Sequence, residues 1–410
     1  MQGKPYAGNP HVRFDEGEVA SAATPRRGSL LYTRREFLMA TTSLALCARG
    51  GVSCGWRENA ALGAAMRQYV ANGLFGGIVC ASNKGDLLCA GNRTLAPDGG
   101  PMTKESIFDL ASVGKTQTAA LCALLYADGK LDVDAPFTEY IPEHVLAKEN
   151  CKITVRDLAT HSGGFDNSKP YMTADSKVYF ERLFAKRPVR ARGEKFEYAC
   201  SNYVYLGLIV ERLTGLDLDA AAKKLLWGPL GMKHTTWNTV VGNPDAVEFA
   251  RSTYVGPVRR IGEHNDICAH LAPRPMGNGS CFSTAPDMLK FCDDLLKREK
   301  FPKAYYDLQF TACFDKGGHR RSFGWDMTAE NSTFAVWTKT NFSDSAICHT
   351  GWTGSAIAVD PNRSFAGVVL ASQQAGDSVT TGPRMELLEL MAAVPDGKSN
   401  ETFKSNDEAK

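Results

Sequence analysis

Apolar positions recur at helical spacing from Trp56 to Val70 and then alternate in two short runs, Ile78-Val79-Cys80 and Leu87-Leu88-Cys89. That pattern predicts a helix followed by a hairpin over Gly76 to Gly91. With Lys84-Gly85 as a two-residue turn, Cys80 and Cys89 fall directly opposite, at a spacing that would accept a disulfide. The run Thr116 to Asp128 is strongly helix-forming, and Gly129 is placed to stop it. Helical patterns with long connections fill the middle of the chain. Short apolar runs then return at Ile347 to Gly351, Ala356 to Asp360 and Ala366 to Ala371, separated by Gly, Pro and Asn as in a β-meander, and Met385 to Ala393 closes with a helix.

Strands at both ends with helices between them predict an α/β (α+β) sandwich. One antiparallel sheet is formed by both chain ends, and an all-helical lobe, about residues 112–310, is inserted in it. The expected domain runs from 54 to 395. Residues 396–410 are polar and read as a disordered tail, as do the Gly-, Pro- and charge-rich first thirty residues.

The chain has 410 residues, 43% hydrophobic and 22% charged, enough for a full core in one large domain or two joined lobes. The formal net charge is +2, and no Lys/Arg cluster is dense enough to track phosphates. A small-molecule or peptide substrate is therefore expected rather than nucleic acid.

Residues 1–53 carry a second signal. Thr33-Arg34-Arg35-Glu36-Phe37-Leu38-Met39 matches the twin-arginine export pattern, and the apolar run Phe37 to Ala48 follows as an h-region should. The run is too short to span a bilayer. The expected partner is the twin-arginine export machinery, and the expected location is periplasmic or secreted. A cut before Cys54 would leave a cysteine open to lipid attachment, but Gly51 stands where a lipoprotein signal has an aliphatic residue.

Twelve cysteines are numerous, and losing Cys47 with the signal leaves an odd eleven. They form no C-x-x-C pair, and Cys268-Ala269-His270 is an isolated half-site, so no metal and no cofactor is expected. Buried free thiols are the default reading.

Candidate chemistry centres on Ser112-Val113-Gly114-Lys115, where a lysine follows a serine at the third position as a helix begins. At that spacing the two side chains share a helix face, so the amine can reach the hydroxyl, and the helix N-terminus disfavours its protonated form. Gly114-Lys115-Thr116 also ends like a Walker A loop, but Asp109 would then replace the first glycine and repel phosphate.

Around this pair the chain, from about Gly76 to Ala371, resembles the β-lactamase-related serine hydrolases: class C β-lactamases, D-Ala-D-Ala carboxypeptidases, D-aminopeptidases and β-lactamase-like esterases. The likeness is carried, in order, by Phe108 to Lys115, Ile153 to Leu158 with His161-Ser162-Gly163-Gly164, Phe196 to Tyr203, Pro229 to Met232, Gly279 to Ala285, and His349-Thr350-Gly351-Trp352. The resemblance implies a β-lactamase/transpeptidase-like fold with its site between sandwich and helical lobe. It further implies Ser112 as nucleophile, Lys115 as base, Tyr198 as proton relay, and the backbone N–H groups of Ser112 and Trp352 as oxyanion hole. Cys200, His349, Thr350 and Gly351 would meet the substrate.

Two departures bear on that substrate. Cys200 stands where the family's tyrosine loop has asparagine, and Asn202 could compensate only if the loop shifts. His349 stands where β-lactamases and carboxypeptidases often have lysine, so the charge facing a substrate carboxylate is weaker. Both favour an esterase or D-amino-acid peptidase. A β-lactamase or D-Ala-D-Ala carboxypeptidase is one alternative, and a noncatalytic envelope protein that binds peptidoglycan peptides or a partner is another.

Overall fold

The computed structural model describes residues 59–96, 99–249, 260–337, 342–374 and 377–393. The twin-arginine segment, Cys54, Trp56 and the tail from 396 lie outside the described residues.

Helix α1 spans Ala60–Ala71, and Asn59 caps it by accepting the Leu62 N–H at 3.1 Å. Strands β1 (Phe75–Ser82) and β2 (Leu87–Gly91) follow as the expected hairpin. Their register differs from the sequence expectation by one residue: Cys80 faces Leu88, and Cys89 faces Val79. The loop has three residues rather than two, because Ser82 N–H bonds to Asp86 O and Gly85 takes φ +92°. The Asp86 carboxylate, accepting from Ser82 Oγ and from Asn59 Nδ2, fixes that register. A one-residue slip turns a side chain to the other face, so Cys80 and Cys89 point to opposite sides and both are free thiols.

The remaining strands come from the far end of the chain: β3 (Phe314–Lys316), β4 (His319–Ser322), β5 (Trp325–Met327), β6 (Ile347–Thr350), β7 (Ala356–Asp360) and β8 (Phe365–Gln373). They join β1 and β2 in one antiparallel sheet of order β2-β1-β8-β7-β6-β5-β4-β3. The pairing of β1 with β8 closes the two chain ends together, as the sequence pattern requires.

Successive residues along each strand serve different cores. Cys80, Cys348, Ala358 and Val369 pack with Leu62 and Met66 of α1 and with Leu387, Leu388 and Met391 of the C-terminal helix. Val79, Ile347, Ile357 and Val368 belong to the other core, with Met288, Phe291 and Leu295.

Between the strands lie helices α2 (Gly114–Ala127), α3 (Cys200–Thr214) and α4 (Ala285–Lys297). Helix α2 is buried on every face from Gly114 to Ala123, as befits a helix enclosed by others. The last helix, α5 (Asp377–Ala392), begins eight residues before the expected Met385. The helix runs through Gly382-Pro383 and is anchored by buried Thr380, Thr381 and Arg384. No helix among the described residues is long and apolar enough to cross a membrane.

Candidate active site

Ser112 lies in a single 3-10 turn, Ala111–Val113, that runs directly into α2. Ala111 takes φ +46°, a left-handed conformation that an L-residue adopts only when its surroundings impose it. They do so here from several sides. Asp109 Oδ1 accepts the Ala111 N–H at 2.8 Å, and Ser280 N–H donates to Ala111 O at 3.0 Å. Gly279 packs so closely that a Cβ there would sit 2.7 Å from the same oxygen. Asp109 Oδ2 also accepts the Asn265 N–H at 2.7 Å. Burial pushes the Asp109 carboxyl up to about 7, against the bonds from Asn265 and Ala111 that lower it.

The turn aims Ser112 Oγ at two polar groups. Lys115 Nζ, one helical turn on and fully buried, lies 3.0 Å away. The Tyr198 hydroxyl donates to the same oxygen at 2.8 Å. Lys115 Nζ also sits over the Tyr198 ring, 4.9 Å from its centroid, and 5.9 Å from that of Tyr203. Ser112, Lys115 and Tyr198 thus meet as expected, across 86 residues of sequence.

Strand β6 brings up the other wall. A Cβ on Gly351 would lie 2.3 Å from Leu110 O and 3.4 Å from Ala111 Cβ, so only glycine lets the strand end come this close to the nucleophile turn. Trp352 follows immediately, and Thr350 is half-buried beside it. His349 is buried, and Nδ1 bonds to the Thr350 carbonyl at 2.8 Å, which puts the proton on Nδ1 and leaves Nε2 a bare acceptor. Burial first, then the cations of Arg321 and Lys115, hold His349 down to about 3, so it is neutral at physiological pH.

His161 (φ +56°) stacks on Tyr198 with ring centroids 4.5 Å apart, and its Nδ1 accepts the Ala199 N–H at 3.2 Å. Burial, with Arg321 and Lys115 adding, keeps its pKa well below the ordinary imidazole value. Asn202 is fully buried against the same Nδ1 at 3.2 Å, so it does not replace the missing asparagine at 200. Cys200 itself is fully buried in the first turn of α3, with no thiol surface for substrate. Its N–H donates to Asn167 Oδ1 at 3.0 Å, which brings the half-buried Asn167 side-chain amide to this end of the site.

Three further charged groups, which no sequence pattern singles out, lie near the site: Arg321 acts on His161 and His349, Asp266 on Lys115, and Lys169 on Asp266. Arg321 of β4 is buried, paired with Asp326 at 3.3 Å and stacked 4.9 Å over Phe196. Burial tends to raise Asp266, but Lys169, the Cys268 N–H and Lys115 outweigh it and hold the carboxyl below its usual value. Lys169 lies 3.8 Å from that carboxylate. Among the described residues, no group of three or more His, Cys, Asp or Glu side chains could hold a metal. A hollow of about 650 Å³ lined by Phe180, Phe184, Leu208 and Arg274 shares no residue with the site.

The buried histidines predict an acid-labile fold. As pH falls from 6.5 to 5 an unfolded chain protonates His144, His161 and His349, while the folded chain holds them neutral, with His144 at about 4 through burial and Arg187. Asp109 works oppositely, binding its proton near 7 in the folded state, and offsets about one of the three. Stability should therefore fall by about 1–3 kcal/mol per pH unit in this window. Urea midpoints at pH 7.5, 6.0 and 5.0 read it, and a flat profile contradicts it.

A lysine and a tyrosine converging on a serine at a helix start, walled by the end of an interior sheet strand, mark a hydrolase site of the β-lactamase fold. The Beta-lactamase family model matches residues 62–390, and the chain belongs to the beta-lactamase family. It is 26% identical over 306 residues to an N-acetylmuramyl-L-alanine amidase of Bacillus subtilis (strain 168), covering 67% of this chain and 69% of that protein. Among solved structures, simvastatin synthase (LovD) from Aspergillus terreus is similar with a TM-score of 0.67 and 18% identity, over 82% of this chain and 98% of that one. EstCE1, described as a hydrolase with promiscuous acyltransferase activity, also gives 0.67 and 18%, over 81% and 97%. At these identities the structural likeness is one of fold.

Proposed function

We propose that the protein is an exported serine hydrolase that works through an acyl-enzyme on Ser112, with an ester, amide or peptide as substrate. The observation that carries this reading is the Ser112 hydroxyl held between Lys115 Nζ at 3.0 Å and the Tyr198 hydroxyl at 2.8 Å. An amine within hydrogen-bond reach can take the serine proton as Oγ attacks a carbonyl carbon. The carbonyl oxygen then carries the negative charge, and the N–H groups of Ser112 and Trp352 receive it. Collapse breaks the bond to the leaving group, which takes its proton through Tyr198. Water, deprotonated by the same groups, then attacks the acyl carbonyl and returns the proton to Ser112 as the acid leaves.

Substrate preference follows from the two departures. A neutral His349 gives no fixed charge for a carboxylate at that strand, which favours esters and D-amino-acid amides over β-lactams. Asn167, whose side-chain amide accepts the Cys200 N–H, is the candidate to replace the acyl-group donor missing at Cys200. The twin-arginine pattern at Arg34-Arg35 supports export to the periplasm or beyond.

Turnover of p-nitrophenyl esters, D-amino acid p-nitroanilides and nitrocefin by the purified protein tests the preference. Esters or anilides are expected to exceed nitrocefin in kcat/KM by about 10-fold or more. Nitrocefin as the best substrate would overturn the preference, and no turnover of any class, together with tight binding of peptidoglycan peptides, would favour the noncatalytic alternative.

A further inference from the structure

The C-terminal helix reaches the peptide unit to which the proposed mechanism assigns an oxyanion donor. Arg384 of α5 is fully buried. Its Nη1 donates to the Gly351 carbonyl at 2.5 Å, and its Nη2 donates to Thr381 Oγ1 at 2.6 Å, one turn back on the same helix. The Gly351 oxygen also accepts the Gly354 N–H at 3.0 Å, so it is held from two directions.

Gly351 C=O and Trp352 N–H belong to one trans peptide. In a planar trans peptide these bonds point in opposite directions, so a group that fixes the oxygen on one side fixes the direction of the N–H on the other. A guanidinium does more than fix it. A charge-assisted bond to the oxygen draws electron density along the amide and makes its N–H a stronger donor, an effect that persists where water is excluded.

The geometry points to Arg384 as a positioning residue for the oxyanion hole, orienting and polarising the Trp352 N–H from behind the sheet. This rests on the acyl-enzyme reading above. A purely architectural role, tying α5 to the sheet, accounts for less. The helix is already held by buried Met385, Leu387, Leu388 and Met391, and sinking a guanidinium into that layer is costly. The bond also lands on the peptide of Gly351, where a Cβ would come within 2.3 Å of Leu110 O, so any rotation there is felt at the nucleophile turn.

The test compares wild type with Arg384→Met, Arg384→Lys and, as a helix-packing control, Leu388→Ala. Each is acylated by a p-nitrophenyl ester labelled with ¹³C at the carbonyl, and the acyl carbonyl stretch is read by rapid-mixing infrared difference spectroscopy beside the acylation rate and KM. A strong oxyanion hole lowers that stretch. In Arg384→Met the band is expected to move to higher wavenumber and acylation to slow by about 10- to 100-fold with KM little changed. Arg384→Lys, keeping the charge but not the two-pronged grip, should fall between. Leu388→Ala should lower the melting temperature and leave the band in place.

An unmoved band and an unchanged rate in a folded Arg384→Met protein overturn the inference alone. If that variant does not fold, the same result in Arg384→Lys overturns it. A band that moves equally in Leu388→Ala reduces Arg384 to a packing role and also overturns it. Wild type that forms no adduct at Ser112 overturns the acyl-enzyme reading, and this inference with it.

Discussion

Replacing Lys115 with methionine is expected to slow acylation of Ser112 by about 10³- to 10⁴-fold while leaving the fold intact. Lys115 is fully buried between the Tyr198 and Tyr203 rings, and its nitrogen is 3.0 Å from the serine oxygen. Methionine fills a similar volume without the amine, so the packing survives and the proton acceptor does not. The melting temperature should hold or rise, because a buried amine costs desolvation that an apolar side chain avoids. Burst-phase kinetics with a p-nitrophenyl ester, alongside thermal unfolding, separate the two effects. A loss of less than 10-fold would show that Lys115 is not the base.

Gly351→Ala should damage the site almost as much through geometry alone. The added Cβ would meet the Leu110 carbonyl oxygen at 2.3 Å, and backbone lies on both sides of that contact. The strand end must retreat from the nucleophile turn and carry the Trp352 N–H with it. A displacement of about 1 Å in a catalytic donor costs on the order of 10²-fold in rate. Gly215→Ala offers the contrast: Gly215 ends α3 at φ +68° with no atom within 4 Å of the added Cβ. It should cost about 1 kcal/mol of stability and leave kcat unchanged. Equal kcat losses in the two variants would contradict the account.

Local geometry explains which parts of this arrangement are legible in the sequence. Ser112 and Lys115 are readable because a three-residue spacing at a helix start fixes their relation without knowledge of the fold. The sheet built from both chain ends follows from where the period-2 runs fall, and β1 does pair with β8. The hairpin register is not readable at single-residue precision, since it depends on where the Asp86 carboxylate bonds Ser82 and Asn59. Strands β3 to β5 escape notice because each has only three or four residues, too few for alternation to register.

The supporting groups are hidden for a different reason. Asp109 is part of a recognisable segment, but its bond to Asn265 crosses 156 residues, and nothing in the order of residues announces it. Asn167 reaches Cys200 across 33 residues from a loop, and Arg384 reaches Gly351 across 33 from a helix read as starting one residue later, at Met385. The missing asparagine at 200 is visible in the sequence. The neighbour whose side-chain amide meets the Cys200 N–H, Asn167, is visible only once the loop is folded.

The central claim is that Ser112 is the acylated nucleophile, and intact mass with peptide mapping after treatment with a fluorophosphonate tests it most directly. Wild type should gain a single phosphonyl adduct on the peptide containing Ser112. Ser112→Ala should gain none and should lose ester hydrolysis by about 10⁴-fold or more. An adduct on another residue, or hydrolysis that survives in Ser112→Ala, would contradict the account.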